Sequence, residues 1–233
     1  MNGLFITGTD TGSGKTSVAV SICQAMKQFG LHLHPRKPVE SGCLSTAGKL
    51  FPEDAWKLQQ ASQTSDPLEV ICSYRFQAAL APDRAARLEG QTILCQQLQD
   101  ACTAHIKPSN WVIVEGAGGF YSPLAEDGLN ADLAMALSLP VILVVKNTLG
   151  CINQTLLTLE AIKHRNLTLA AIILNDSQPQ EKKDMDNLSD IQRHLTNNTL
   201  CLRHYYEKPE KNRDIINTQF LPTLFTDYSQ KAT

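Results

Sequence analysis

The segment Gly8 to Thr16, GTDTGSGKT, follows the apolar run Leu4-Phe5-Ile6 and precedes a stretch of helical periodicity. In that stretch Val18, Ile22, Ala25, Met26 and Phe29 recur at spacings of three and four, and Gly30 stands where such a helix would stop. A strand, a glycine-rich turn and a helix in that order are a strong constraint. The backbone N–H groups of the turn and of the helix N-terminus converge on one anion. The common spacing of such a loop is glycine, any four residues, then Gly-Lys-Ser/Thr. Counting back from Gly14-Lys15 puts the leading glycine at position 9, which is threonine, so this loop departs from the common spacing.

Further apolar runs, Trp111 to Val114, Val141 to Val145 and Leu169 to Leu174, alternate with longer helical stretches. The alternation predicts a parallel sheet with crossover helices on both faces, and PVILVV, apolar throughout, reads as a strand covered on both sides. The 233 residues are 42% apolar and 19% charged with a net charge of -2, which argues against disorder and a polyanion partner such as nucleic acid. A small-molecule partner is the expectation. The start MNGLFITG has no basic leader, and no run of about 18 apolar residues suggests a membrane span. Seven scattered cysteines without a C-x-x-C pair point to a reduced, cytoplasmic protein with neither disulfides nor a zinc site.

In the strand-loop-helix setting, Lys15 would set an ammonium on terminal phosphates and Thr16 would offer its hydroxyl to Mg²⁺. Asp10 would repel phosphates if it faced them, so an outward, turn-forming role is expected. Glu115 closes the apolar run of WVIVEGAGG, at the strand end where parallel sheets bind ligands. Asp54, in PEDAWKLQ, reads on its own as a helix cap. Lys37, ahead of Pro38 in RKPVESG, is held in extended backbone and could reach the phosphate site, although spacing alone favours a surface lysine. The Gly-, Ser- and Pro-rich stretch 37–52 reads as an active-site loop, and the polar stretch 177–187 as a solvated connection or helix start.

Taken together and in order, GTDTGSGKT, KPVESG, VEGAGG and LGCINQTLLT resemble the dethiobiotin synthetases, with the similarity running over roughly residues 1 to 176. Members of that family share the long loop spacing. The resemblance implies a three-layer, doubly wound α/β fold of the P-loop NTPase type, as one domain over 1–233. It implies an ATP- and Mg²⁺-dependent cyclo-ligase that builds a ureido ring from 7,8-diaminononanoate and CO₂, through a carbamate and a phosphorylated carbamate. By that resemblance Thr11, Lys15 and Lys37 contact phosphate or carbamate oxygens, with Gly12, Ser13 and Gly14 completing the nucleotide loop. Ser41 hydrogen-bonds the carbamate region, Thr16, Asp54 and Glu115 hold Mg²⁺, and Asn175 lies on the adenine side. Gly150, Cys151 and Asn153 hold the far carboxylate of the diamino acid, an end gripped in the family by the neighbouring subunit, which implies a homodimer.

Two departures stand out. The family's Ser-Pro-His-x-Ala-Ala segment is here Ala81 to Ala86, APDRAA, so either diamine binding shifts or Asp83 itself meets an ammonium group. The Gly-x-Ile-Pro turn near the base is replaced by LRHYYEKPEKN, where Tyr205, Tyr206, Pro209 or Glu210 could border the base or simply form an exposed loop. None of the six histidines has metal-ligand partners at suitable spacing. A partitioning-type switch ATPase would carry lysine where Thr9 stands and a basic amphipathic tail. A cobyrinate-type amidotransferase would need an added glutaminase domain.

If Lys37 stabilises charge in the transition state, Lys37→Ala lowers turnover by on the order of 10² or more while changing nucleotide affinity far less. Turnover close to wild type in steady-state assays would refute that role.

Overall fold

A computed structural model describes residues 1–46, 48–176, 185–195 and 199–231. The polar stretch 177–187 therefore lies mostly outside the described residues. In chain order the first half runs β1 (Asn2–Gly8), α1 (Lys15–Gln28), β2 (Leu33–Arg36), β3 (Val39–Ser41), β4 (Leu44–Thr46), β5 (Lys49–Phe51), α2 (Glu53–Ser62), α3 (Leu68–Ile71), β6 (Tyr74–Phe76), α4 (Pro82–Leu88) and α5 (Cys95–Thr103). There follow β7 (Trp111–Glu115), β8 (Pro123–Ala125), β9 (Gly128–Leu129), α6 (Asn130–Leu137), β10 (Val141–Lys146), α7 (Cys151–His164) and β11 (Leu169–Asn175). The chain ends with α8 (Asn187–Arg193), β12 (Cys201–His204), α9 (Pro209–Ile215), a π-helical turn (Ile216–Phe220) and α10 (Leu221–Lys231).

Six strands form a parallel sheet in the order β12-β11-β10-β1-β7-β2. Its apolar strands send alternate residues to opposite faces, as the two-residue period of a strand requires. Leu4, Ile6, Ile113, Ile142, Val144 and Ile173 pack against Val18, Ile22 and Met26 of α1 together with Ile216 and Phe220. Phe5, Val112, Val114, Leu143, Val145 and Ile172 pack on the other side against Leu98, Ala134, Cys151 and Ile162. Both faces are therefore covered, which explains why PVILVV shows no polar alternation. α1 ends as its periodicity predicts, with the Gly30 N–H on the Lys27 carbonyl at 2.9 Å.

Two stretches are more ordered than their composition suggests. Residues 37–52 contain β3, paired with β6, and the antiparallel pair β4–β5. LRHYYEKPEKN begins as the edge strand β12 and ends in α9, because Leu202 completes the core under α1 while its neighbours stay half exposed. Short local segments such as these take their structure from a partner strand, which composition does not record.

β1 lies between β7 and β10, so the chain's crossovers diverge on either side of it. At such a switch point the loops at the carboxyl ends of the strands part and leave a crevice. Its glycine-rich wall, 116–119, is braced by the buried amide of Asn130. That amide accepts from the Ala117 N–H at 3.0 Å and donates to the carbonyls of Ala117 at 2.5 Å and Gly119 at 3.1 Å. Losing these bonds while Ala117 stays buried should make Asn130→Ala about 3 kcal/mol less stable by denaturant titration. An unchanged midpoint would show that the turn holds itself.

Candidate active site

The phosphate loop is a tight structure. The Thr9 N–H bonds the Val144 carbonyl at 3.1 Å, and the Gly8 carbonyl accepts from the Phe120 N–H at 3.1 Å. Gly8 supplies the space that the absent glycine at position 9 would otherwise be expected to supply: a Cβ there would lie 2.3 Å from Ser13 Oγ and 3.3 Å from Lys15 Nζ. Gly14 is constrained twice over, with φ at +91° and the Asn175 amide occupying the place of a Cβ. Asp10 is exposed and its carboxylate accepts from the Thr11 N–H at 2.6 Å, the turn-forming role expected of it.

Around this loop lies a cavity of about 290 Å³ lined by Thr11, Gly12, Gly14, Lys15, Thr16, Lys37, Glu40, Ser41, Asp54, Glu115, Ala117 and Gly118. Residues from four separate segments of the sequence thus meet at one strand edge. Lys37, just past β2, donates from Nζ to Glu115 Oε1 at 2.6 Å and to the Gly116 carbonyl at 3.2 Å, with Asp54 Oδ2 at 3.3 Å. It is buried, not a surface lysine. The Thr16 hydroxyl donates to the same Glu115 oxygen at 2.8 Å. Lys15 Nζ meanwhile rests on the Asp10 carbonyl at 3.2 Å.

The electrostatics of the two lysines differ. Burial, helped by the Lys37 charge, pulls Lys15 down to about 8. Burial also opposes charge on Lys37, but the carboxylates of Glu115 and Asp54 overcome it and hold that ammonium above the usual lysine range. For Asp54 burial favours the acid form, yet Lys37 and the Thr16 hydroxyl together keep its carboxyl below the usual range. Asp54 does not cap its own helix. The α2 N-terminus is instead capped by Glu40, whose oxygens accept from the N–H groups of Asp54 at 3.0 Å and Ala55 at 3.1 Å. Burial raises the Glu40 carboxyl.

Sequence reasoning read KPVESG for Lys37 and Ser41 and passed over Glu40. The triplet VES carries no signal for it, because the burial of Glu40 is set by the fold. Two ammonium groups against the carboxylates of Glu40, Asp54 and Glu115 leave the cavity with one negative charge in excess.

A second cavity, of about 420 Å³, lies on the other side of Gly14 and is lined by Ser17, Ser21, Asn175, Asp176, His204, Tyr205, Tyr206 and Pro209, among others. Three of the four residues suggested as a base border in LRHYYEKPEKN line it; Glu210 does not. Gly150, Cys151 and Asn153 are not brought into either cavity. They begin α7 after β10, with Cys151 buried and Asn153 exposed. Asp83 accepts from Arg87 on its own helix at 2.9 Å. All seven cysteines are free thiols, and among the described residues no helix is long and apolar enough to cross a membrane.

A family model described as an AAA domain matches residues 2–205. The ATP-dependent dethiobiotin synthetase of Anaeromyxobacter dehalogenans is 45% identical over 181 residues, 78% of this chain and 79% of that protein. That of Vesicomyosocius okutanii is 40% identical over 179 residues, 77% of this chain and 81% of that protein. Among solved structures, the MinC:MinD cell division complex of Aquifex aeolicus superposes with a TM-score of 0.56 at 12% identity, covering 99% of this chain and 96% of that one. At that identity the likeness establishes the fold alone.

Glu115 holds both Lys37 and Thr16, so Glu115→Ala should cost roughly 3 kcal/mol by leaving a buried ammonium half paired. Adding Lys37→Met should recover part of that loss, since the unpaired charge is then gone. Additive losses in thermal and denaturant unfolding would contradict the coupling.

Proposed function

Because the chain belongs to the dethiobiotin synthetase family, a family of ATP-dependent enzymes, we propose that its cavity joins ATP to a carbamate and closes a ureido ring on 7,8-diaminononanoate. The observation that carries this reading is the meeting of Lys15 and Lys37 with Thr16, Asp54 and Glu115 at one cavity. The reaction begins when one amine adds to CO₂ and loses a proton. The carbamate oxygen then attacks the γ-phosphorus, expelling ADP. Finally the second amine attacks the carbonyl carbon and phosphate leaves, so the two nitrogens end on one carbon.

This is chemistry by placement and charge. Both partners in the phosphoryl transfer are anions, and no covalent nucleophile is needed. In this reading the loop from Thr11 to Gly14 cradles phosphate through backbone N–H groups, and Lys15 leaves its carbonyl partner for the terminal phosphates. Lys37 lies where charge accumulates on the transferred group, and Ser41 meets the carbamate. The amine closing the ring would be oriented by the same wall.

Mg²⁺ fits the donor set. Thr16, Asp54 and Glu115 offer hard oxygens, and Glu115 Oε2 is buried without a hydrogen-bond partner among the described residues. No group of three or more His, Cys, Asp or Glu suited to a metal occurs among the described residues; in this reading the cation would take the rest of its shell from phosphate and water. Bound there, it would offset phosphate charge in a cavity that is otherwise one negative charge in excess.

Gly150, Cys151 and Asn153 would serve the far carboxylate only across a dimer interface, as the N-terminus of a long helix suits an anion and neither cavity contains them. A homodimer working in the cytoplasm is part of this proposal, as is one catalytic domain over 1–233.

Incubation with MgATP, bicarbonate and the diamino acid should yield a product heavier by CO₂ less water, with ADP and phosphate in equal amount, by mass spectrometry. ATP hydrolysis stimulated by a protein partner, with no ureido product, would instead favour a switch ATPase.

A further inference from the structure

The histidine left without a role by its spacing, His204, lies at the end of β12 and is 5% exposed. Its Nδ1 is 2.8 Å from Asn175 Oδ1, and its Nε2 is 2.9 Å from Ser21 Oγ on α1. Asn175 in turn donates from Nδ2 to the Ser13 carbonyl, 3.0 Å away in the phosphate loop. The loop and helix holding Ser13 and Ser21, the end of β11 at Asn175 and the end of β12 at His204 are joined in one file of hydrogen bonds.

Each direction in that file follows from the atom at its loop end. The Ser13 carbonyl can only accept, so Asn175 must turn its nitrogen toward it and its oxygen toward His204. That oxygen also only accepts, so Nδ1 of the imidazole must carry the proton. Burial holds His204 down to about 4, which leaves Nε2 unprotonated at neutral pH and able to accept from the Ser21 hydroxyl. Ser21 has a competing acceptor in the Ser17 carbonyl, but that contact is longer, at 3.2 Å.

We infer that His204 is a positioning residue for nucleotide binding: as the Nδ1–H tautomer it fixes the Asn175 amide, which pins the Ser13 carbonyl and so sets the orientation of the phosphate loop. In a planar trans peptide the carbonyl and the following N–H point opposite ways. Pinning the Ser13 carbonyl therefore turns the Gly14 N–H away from Asn175, toward the side where phosphates would lie. The amide also lies so close to Gly14 that no Cβ fits between them, so Asn175 meets the loop at two consecutive residues. With one oxygen lone pair and one amide hydrogen already engaged, Asn175 acts on the loop as well as lining the second cavity. The inference rests on the reading of this loop as the phosphate site.

Two measurements test it. In ¹⁵N-histidine-labelled protein at pH 7, long-range ¹H–¹⁵N correlation should show the His204 ring neutral with the proton on Nδ1; the Nε2–H tautomer or an imidazolium would overturn the inference. Calorimetry with MgATP should give a Kd raised roughly tenfold for His204→Leu, the scale of one lost buried hydrogen bond, with kcat at saturating ATP nearly unchanged. His204→Asn, which retains an N–H near the Nδ1 position, should bind within about threefold of wild type. Equal losses in both variants, or none in the leucine variant, would refute the positioning role. Should the leucine variant not fold, the tautomer and the asparagine variant decide. Wild-type protein that fails to bind MgATP would instead sink the reading of the loop itself.

Discussion

Lys37 and Glu115 are both almost wholly removed from water and lie 2.6 Å apart. Neither charge could be buried alone, because the desolvation of a lone ammonium or carboxylate costs several kcal/mol. Their pairing therefore ties the chain leaving β2 to the end of β7, and the same ammonium pairs with Asp54 at the start of α2. Thr16, the second residue of α1, closes the set through the same Glu115 oxygen. The cavity wall is held by one polar cluster in which Lys37 and Asp54 each favour the other's charged form. That is why Lys37 is held above the usual lysine range although burial alone would lower it.

The same cluster explains the division of labour between the acids. Glu40 spends both its oxygens on the N–H groups that open α2, which relieves Asp54 of capping and lets its carboxylate face Lys37 and Thr16. Glu115 uses one oxygen on Lys37 and Thr16 while the other has no hydrogen-bond partner among the described residues. On this physical ground the proposed metal role falls to Asp54 and Glu115, not to Glu40.

Fold likeness and family likeness separate here. The overall fold is shared with a MinD-containing complex at 12% identity, and in this chain the site opens where the parallel sheet parts at its switch point. The proposed chemistry rests instead on particular side chains brought to that opening, Lys37 and Ser41 above all, in a chain 45% identical to an ATP-dependent dethiobiotin synthetase. Thr9 in place of lysine or glycine is accommodated because Gly8 provides the close approach one residue earlier.

Sequence by itself determined the parallel sheet, the strand-loop-helix of residues 2–28 and the membership of Lys15, Thr16 and Glu115 in one site. These are encoded locally, in apolar runs and in the glycines of a turn, where neighbours in the chain are neighbours in space. Lys37 and Asp54 were legible only through resemblance, because by spacing alone one reads as a surface lysine and the other as a cap. Glu40 and His204 were missed altogether. Their partners, Asp54 and Ala55 for the first, Asn175 and Ser21 for the second, lie up to 183 positions away. Only the tertiary structure decided them, since a polar side chain's role is set by what burial brings within hydrogen-bond reach, and burial is a property of the whole packed sheet.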